Sequence, residues 1–235
     1  MLILTNDDGI DAPGLAALEE AVGAAEKIIV APLRPMSECS HCVTMRHPLV
    51  LEQLADRRYA VDGTPANCVR IALLHVLPEL GIEPVRGQVR VLSGINAGGN
   101  LGADIYISGT VAAAREAAFF GMEAVALSQY RRGEPGDPEW RRAAAWARQA
   151  LARIAGEPLH VGEFWNINFP WPDDFDAPVD MRFCDRSRRP LPVKYERTDA
   201  GLSYVTGRYH LREFEPGSDI DVCFGGNIAL TRIAL

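Results

Sequence analysis

Leu2-Ile3-Leu4-Thr5-Asn6-Asp7-Asp8-Gly9 decides the fold, together with 13–22 (Pro13-Gly14-Leu15-Ala16-Ala17-Leu18-Glu19-Glu20-Ala21-Val22) and Lys27-Ile28-Ile29-Val30-Ala31-Pro32. The opening run is short and does not alternate, the pattern of a strand buried on both faces of a parallel sheet. It stops at the polar tip 6–9. Pro13 followed by helix formers reads as a helix start. The run from Lys27 reads as a second strand. The first thirty residues therefore predict a right-handed, parallel βαβ unit.

The same alternation continues outward. A long polar loop is expected over 33–48, then a strand at Tyr59-Ala60-Val61. A turn at Asp62-Gly63-Thr64-Pro65 opens a helix reaching about Leu77. A strand at 89–93 leads into a glycine-rich loop, 94–102. Thr110 is read as the cap of a helix through Ala118. Strands are expected at 124–128 and 165–169, with an amphipathic helix at 140–154 in which Trp140 and Trp146 pack. Strands alternating with helices predict an α/β, doubly wound, mostly parallel sheet. After Pro170 the periodicity fades. The expected organisation is a catalytic domain at 1–170 and a C-terminal part at 171–235. That part comprises an extended arm over 171–217 and a returning segment with a strand at 227–230.

The 235 residues suit one ordinary α/β domain, and 48% hydrophobic content supports a substantial core. A net charge of -7 speaks against a stable nucleic-acid complex, which needs a basic surface. The five cysteines are odd in number in a chain of this size, so a disulfide framework is not expected. No run is long and apolar enough for a membrane span, and the N-terminus lacks a signal-peptide pattern. A cytoplasmic protein is expected.

Three segments carry chemistry. Asp7 and Asp8 are adjacent carboxylates at a strand tip, where open α/β sheets bind ligands. Desolvating two like charges is costly, and a hard divalent cation relieves that cost. The pair alone is equally compatible with a solvated turn. Ser93-Gly94-Ile95-Asn96-Ala97-Gly98-Gly99-Asn100-Leu101-Gly102 offers backbone amides to an anion and neutral oxygens to a metal. Ser108-Gly109-Thr110 places hydroxyls and free amides at a helix N-terminus, where anions bind. A cation and an anion at one sheet edge suggest phosphoryl chemistry. Cys39-x-x-Cys42 lacks the second pair a structural zinc needs, and His41 between them is a candidate proton carrier.

These segments resemble the SurE family of 5′/3′-nucleotidases. The resemblance lies in Leu4-Thr5-Asn6-Asp7-Asp8-Gly9-Ile10, Val61-Asp62-Gly63-Thr64-Pro65-Ala66-Asn67-Cys68-Val69, Leu92-Ser93-Gly94-Ile95-Asn96-Ala97-Gly98, Asn100-Leu101-Gly102 and the stretch from Tyr106 through Ser108-Gly109-Thr110-Val111-Ala112-Ala113-Ala114. It covers about residues 1–130, and less closely Asn166-Ile167-Asn168-Phe169-Pro170. It implies a Rossmann-like domain whose C-terminal arm exchanges between subunits in homodimers or homotetramers. It implies hydrolysis of nucleoside 5′- and/or 3′-monophosphates with one divalent cation per subunit, Mn²⁺ or Mg²⁺. The family's metal ligands fall on Asp7, Asp8, Ser37 and Asn96, with Asp7 and Asp8 catalytic. Its phosphate contacts fall on Asn6, Asn100, Ser108, Gly109 and Thr110. The loop departs from the family pattern at Leu33, where an acid is usual, and at Glu38.

Two alternatives follow from the same residues. An aspartyl-phosphate phosphatase would place its acids at alternate strand positions, whereas here they are adjacent and Gly9 follows. A non-catalytic nucleotide-binding protein would keep the anion pocket without turnover.

Overall fold

The computed structural model describes residues 1–36, 39–174, 177–205 and 209–235. It opens with β1 (Leu2–Thr5), α1 (Pro13–Val22) and β2 (Lys27–Pro32), and β1 and β2 pair in parallel, as the opening pattern predicts. There follow β3 (Leu51–Ala55), β4 (Arg58–Val61), α2 (Pro65–Ile71), α3 (Leu77–Glu79), β5 (Arg90–Ala97) and α4 (Gly109–Phe119). Next come β6 (Glu123–Gln129), α5 (Asp137–Ile154), β7 (Glu163–Phe169), β8 (Met181–Phe183), β9 (Tyr195–Thr198), β10 (Gly201–Tyr204), α6 (Asp219–Phe224) and β11 (Ile228–Ala234).

Among the described residues one sheet runs β3-β4-β2-β1-β5-β6-β7-β11-β8, and β9 and β10 form a separate hairpin. The central block from β4 to β7 is parallel. β3 and β11 run antiparallel to β4 and β7. The strands sort their side chains by alternate positions. Leu4, Ile29, Leu92, Val125, Leu127 and Ile167 face a layer containing Leu15 and Leu18 of α1 and Trp140 and Trp146 of α5. Ile3, Ile28, Val30, Val91, Ala124 and Ala126 face Val69 of α2 and Val111 and Ala114 of α4. Helices on both faces explain why the strands read as unbroken apolar runs. The chain lays β2 on one side of β1 and later β5 on the other. This reversal between β1 and β5 opens the crevice where α/β sheets bind ligands.

Several details differ from the sequence reading. β3 leaves no apolar pattern in the sequence, because it is an edge strand with exposed residues and a bulge. The helix expected to reach Leu77 is interrupted by a π-turn at Ala72–Val76. Pro78 has no N–H to continue the α ladder, and Leu77 N–H bonds Ala72 O instead. β5 continues through Gly94 to Ala97 rather than ending at Ser93. Only glycine permits this, since a Cβ on Gly94 would lie 2.3 Å from Leu127 O and its φ is +140°. The cap of α4 is Ser108, whose Oγ accepts from Val111 N–H at 3.1 Å, and not Thr110. Ser108 has the extended backbone a cap requires, whereas Thr110 sits in the first turn and turns its hydroxyl elsewhere. The C-terminal segment contributes β8, α6 and β11, and β11 runs on to Ala234 rather than stopping at Leu230.

Candidate functional site

The polar tip of β1 sits at the switch point. Asn6 is fully buried, and its side-chain amide donates to Gly9 O at 2.7 Å, which closes the turn. Gly9 takes φ +103°, a conformation that favours glycine. Asp7 is 5% exposed and accepts a short hydrogen bond from Thr110 Oγ1. A Cβ on Gly109 would fall 2.8 Å from Asp7 Cβ, so the N-terminus of α4 rests directly on this carboxylate. Asp8 accepts from Ala97 N–H at 3.2 Å, which ties the β1 tip to the end of β5 beside Asn96. The structure thus brings together Asp7, Asp8, Asn96, Gly109 and Thr110. Ser37 lies outside the described residues. The chain enters its segment beside the site, with Met36 N–H donating to Asp7 O at 2.7 Å.

The electrostatics follow from burial. Burial pushes the Asp7 carboxyl up to about 6, against the Thr110 hydrogen bond, and the neighbouring Asp8 charge adds to the rise. Burial also raises Asp8, opposed by the Ala97 amide and the Arg131 guanidinium. Among the described residues neither carboxylate has an ion-pair partner. Asn6 Oδ1 is buried with no hydrogen-bond partner among the described residues. Two carboxylates and amide oxygens form a hard donor set, which fits a divalent cation such as Mg²⁺ or Mn²⁺.

Asn100 anchors the loop after β5 rather than projecting from it. Its Nδ2 donates to Ser128 Oγ at 2.8 Å, and its N–H donates to Asn168 Oδ1 at 2.8 Å. Its carbonyl accepts from Asn166 Nδ2 at 2.8 Å and Asn168 Nδ2 at 3.1 Å. Sequence reasoning gave Asn166 and Asn168 no role. Two asparagines at alternate positions of a buried strand were the available signal, because buried amides require partners. Arg131, which acts on Asp8, and the C-terminal Tyr209, Arg212 and Asp219, which bond the loop after β5, carry no such signal in the sequence.

The loop of 39–44 is fastened to the helices. His41 Nε2 pairs with Glu116 Oε2 at 2.7 Å, and Arg70 Nε donates to Glu116 Oε1 at 2.5 Å. Burial alone would raise Glu116, but the His41 and Arg70 hydrogen bonds outweigh it and hold the carboxyl below its usual range. His41 therefore serves as a tether to α4. All five cysteines are free thiols. A cleft of about 820 Å³ lies elsewhere, between α4 and the C-terminal segment, and none of the candidate residues lines it.

Fold and site together define a doubly wound α/β protein with a two-carboxylate, oxygen-rich ligand site at its switch point. Comparison with known proteins names the group. The family model for survival protein SurE matches residues 2–191, and the chain belongs to the SurE family. A protein of Nostoc sp. is 46% identical over 232 residues, covering 99% of this chain and 98% of its own. The 5′-nucleotidase SurE of Geotalea uraniireducens is 42% identical, covering 100% of this chain and 92% of its own. The crystal structure of the SurE protein from Aquifex aeolicus superimposes with a TM-score of 0.84 at 27% identity, covering 99% of this chain and 92% of that one. No helix of the described residues is long and apolar enough to cross a membrane.

Proposed function

We propose that the protein is a metal-dependent nucleotidase that hydrolyses nucleoside 5′- and/or 3′-monophosphates to nucleoside and phosphate. Family membership and its 5′-nucleotidase relatives support the nucleotidase activity. The observation that carries the metal dependence is Asp7: a carboxylate 5% exposed, beside a second carboxylate, under the N-terminus of α4. Asp7, Asp8 and Asn96 would hold the cation, with Ser37 as a further ligand. When bound, the cation supplies a Lewis acid for a phosphoryl oxygen and lowers the pKa of a water molecule.

The protein's own groups do the rest. The Thr110 hydroxyl fixes the orientation of Asp7. The Thr110 N–H is turned to the Asp7 carboxyl, while the Gly109 amide has no partner within the helix and offers a donor, with the positive dipole end of α4, to the phosphate. This helix end is in place before the reaction, so it stabilises charge as it develops on the equatorial oxygens. Asn6 and Asn100 hold the two flanking turns in register with this helix end. One of the two aspartates accepts the proton of the attacking water.

Assembly into homodimers or homotetramers through the C-terminal arm belongs to the same proposal. It is supported by the β9–β10 hairpin, which stands apart from the main sheet with Tyr195, Leu202 and Tyr204 exposed. A cytoplasmic location fits the free thiols. The test is a panel of nucleoside monophosphates and p-nitrophenyl phosphate with Mn²⁺, Mg²⁺, Co²⁺ or Ni²⁺, and with EDTA, set against Asp8→Asn. Turnover should vanish in EDTA and fall by about two orders of magnitude in the variant. Activity that survives full chelation overturns the metal dependence. Tight nucleotide binding without turnover under any metal would instead indicate the non-catalytic binding protein.

A further inference from the structure

The loop of residues 96–104 carries two of the candidate ligands and three glycines, so its own backbone has little preference for one conformation. It is gripped from two sides. The sheet side is the Ser128, Asn166 and Asn168 network on Asn100. The other side belongs to residues more than a hundred positions later. Tyr209 Oη lies 3.0 Å from Gly99 O and 2.6 Å from Asp104 Oδ2. Arg212 donates from Nη1 to Asp104 Oδ2 at 2.8 Å and from Nη2 to Leu101 O at 3.1 Å. Its guanidinium sits 4.5 Å from the centre of the Tyr209 ring. Asp219 accepts the Gly102 N–H at 2.7 Å with one oxygen, and with the other the N–H groups of Ser187 at 2.8 Å and Ile220 at 2.9 Å.

We propose that Tyr209, Arg212 and Asp219 are positioning residues of the nucleotidase, fixing the 96–104 loop so that docking of the C-terminal segment completes the phosphate-binding edge. The inference rests on reading that loop as part of the nucleotidase site. Three features carry it. The contacts fall on loop backbone at Gly99, Leu101 and Gly102, and backbone contacts set position. The Asp104–Arg212 pair is almost wholly buried, at 8% and 1% side-chain exposure. Such a pair rarely stabilises a fold better than apolar side chains of the same volume would, whereas it does specify one geometry. Finally, Leu101 packs with Ile220, Val222 and Cys223, so the loop and α6 share one small core. Displacing the segment would strip Asp104 of its Arg212 counter-charge and release the loop.

The test uses the full chain with Tyr209→Phe, Arg212→Lys and Arg212→Met, and Asp8→Asn in parallel. It reads kcat and KM for a nucleoside monophosphate, inhibition by inorganic phosphate, and melting temperature. Tyr209→Phe keeps the ring and removes only the hydroxyl. It should melt within a few degrees of the parent yet lose about tenfold in kcat, with weaker phosphate inhibition, as expected when donors shift by a fraction of an ångström. Arg212→Lys should retain more activity than Arg212→Met. If Arg212→Met does not fold, the other two variants decide. Parental kcat, KM and phosphate inhibition in both Tyr209→Phe and Arg212→Lys would overturn the proposal, even with a lowered melting temperature. An active Asp8→Asn sinks the reading of the site itself. An inactive Asp8→Asn beside parental Tyr209→Phe and Arg212→Lys sinks only the positioning role.

Discussion

Asp7→Asn should stabilise the metal-free protein while abolishing its activity. The Asp7 carboxyl is raised from 3.8 to about 6 by burial, assisted by Asp8. A raised folded-state pKa means the group favours the fold fully only below its unfolded value near 3.8. That contribution is lost as pH climbs through about 6, because the folded state must then hold a buried charge. A shift of about two units corresponds to roughly 3 kcal/mol at pH 8. Asparagine removes the charge with little change of shape, and its oxygen still accepts from Thr110. The Thr110 bond weakens from charge-assisted to neutral, which takes back about 1 kcal/mol. A net gain of roughly 2 kcal/mol in a chain of this size raises the melting temperature by about 4–8 °C. The assay is thermal unfolding in EDTA from pH 4.5 to pH 8. The advantage of Asp7→Asn should be full at pH 8 and shrink or reverse at pH 4.5. Saturating Mn²⁺ should stabilise the parent more than the variant, because the variant has lost one of the two carboxylates that would hold the cation. If the variant melts at or below the parent in EDTA at pH 8, the inference that Asp7 is a strained, desolvated charge is wrong.

Gly109→Ala would drive a Cβ to 2.8 Å from Asp7 Cβ and 2.9 Å from Asp7 Oδ2; kcat/KM should drop by about a hundredfold, with a smaller loss of melting temperature. His41→Ala leaves the buried Glu116 carboxylate with Arg70 alone, so stability should fall by about 1–3 kcal/mol at pH 7, measured by urea unfolding. Glu116 has a depressed folded-state pKa, so its contribution is present above the ordinary carboxylate value and lost as pH falls through the folded one; the parent–variant gap should narrow in acid. Gly94→Ala would place a Cβ 2.3 Å from Leu127 O at a φ of +140°, and soluble expression should collapse, as a fractionation gel would show.

The sequence determined by itself whatever rests on local pattern. Residues 2–32 specify strand, helix and strand because apolar runs and Pro13 act through near neighbours, and β1, α1 and β2 carry the predicted bounds. Asp7, Asp8, the glycine loop and Ser108-Gly109-Thr110 stand out together, because each follows or precedes a core element that brings it to the same sheet edge. Tertiary structure decided what depends on distant partners. β5 extends through Gly94 only because Leu127 O leaves no room for a side chain. Thr110 is a partner of Asp7 rather than a helix cap because α4 is laid against the tip of β1, 103 residues away in sequence. Asn166 and Asn168 become a clamp only when β7 is set beside β6 at the loop. The C-terminal segment looked patternless because its polar side chains, Tyr209, Arg212 and Asp219, answer buried polar groups on a loop far upstream. Hydrogen-bond complementarity of that kind leaves no periodicity in the sequence, since it depends on which groups the fold brings within about 3 Å of each other.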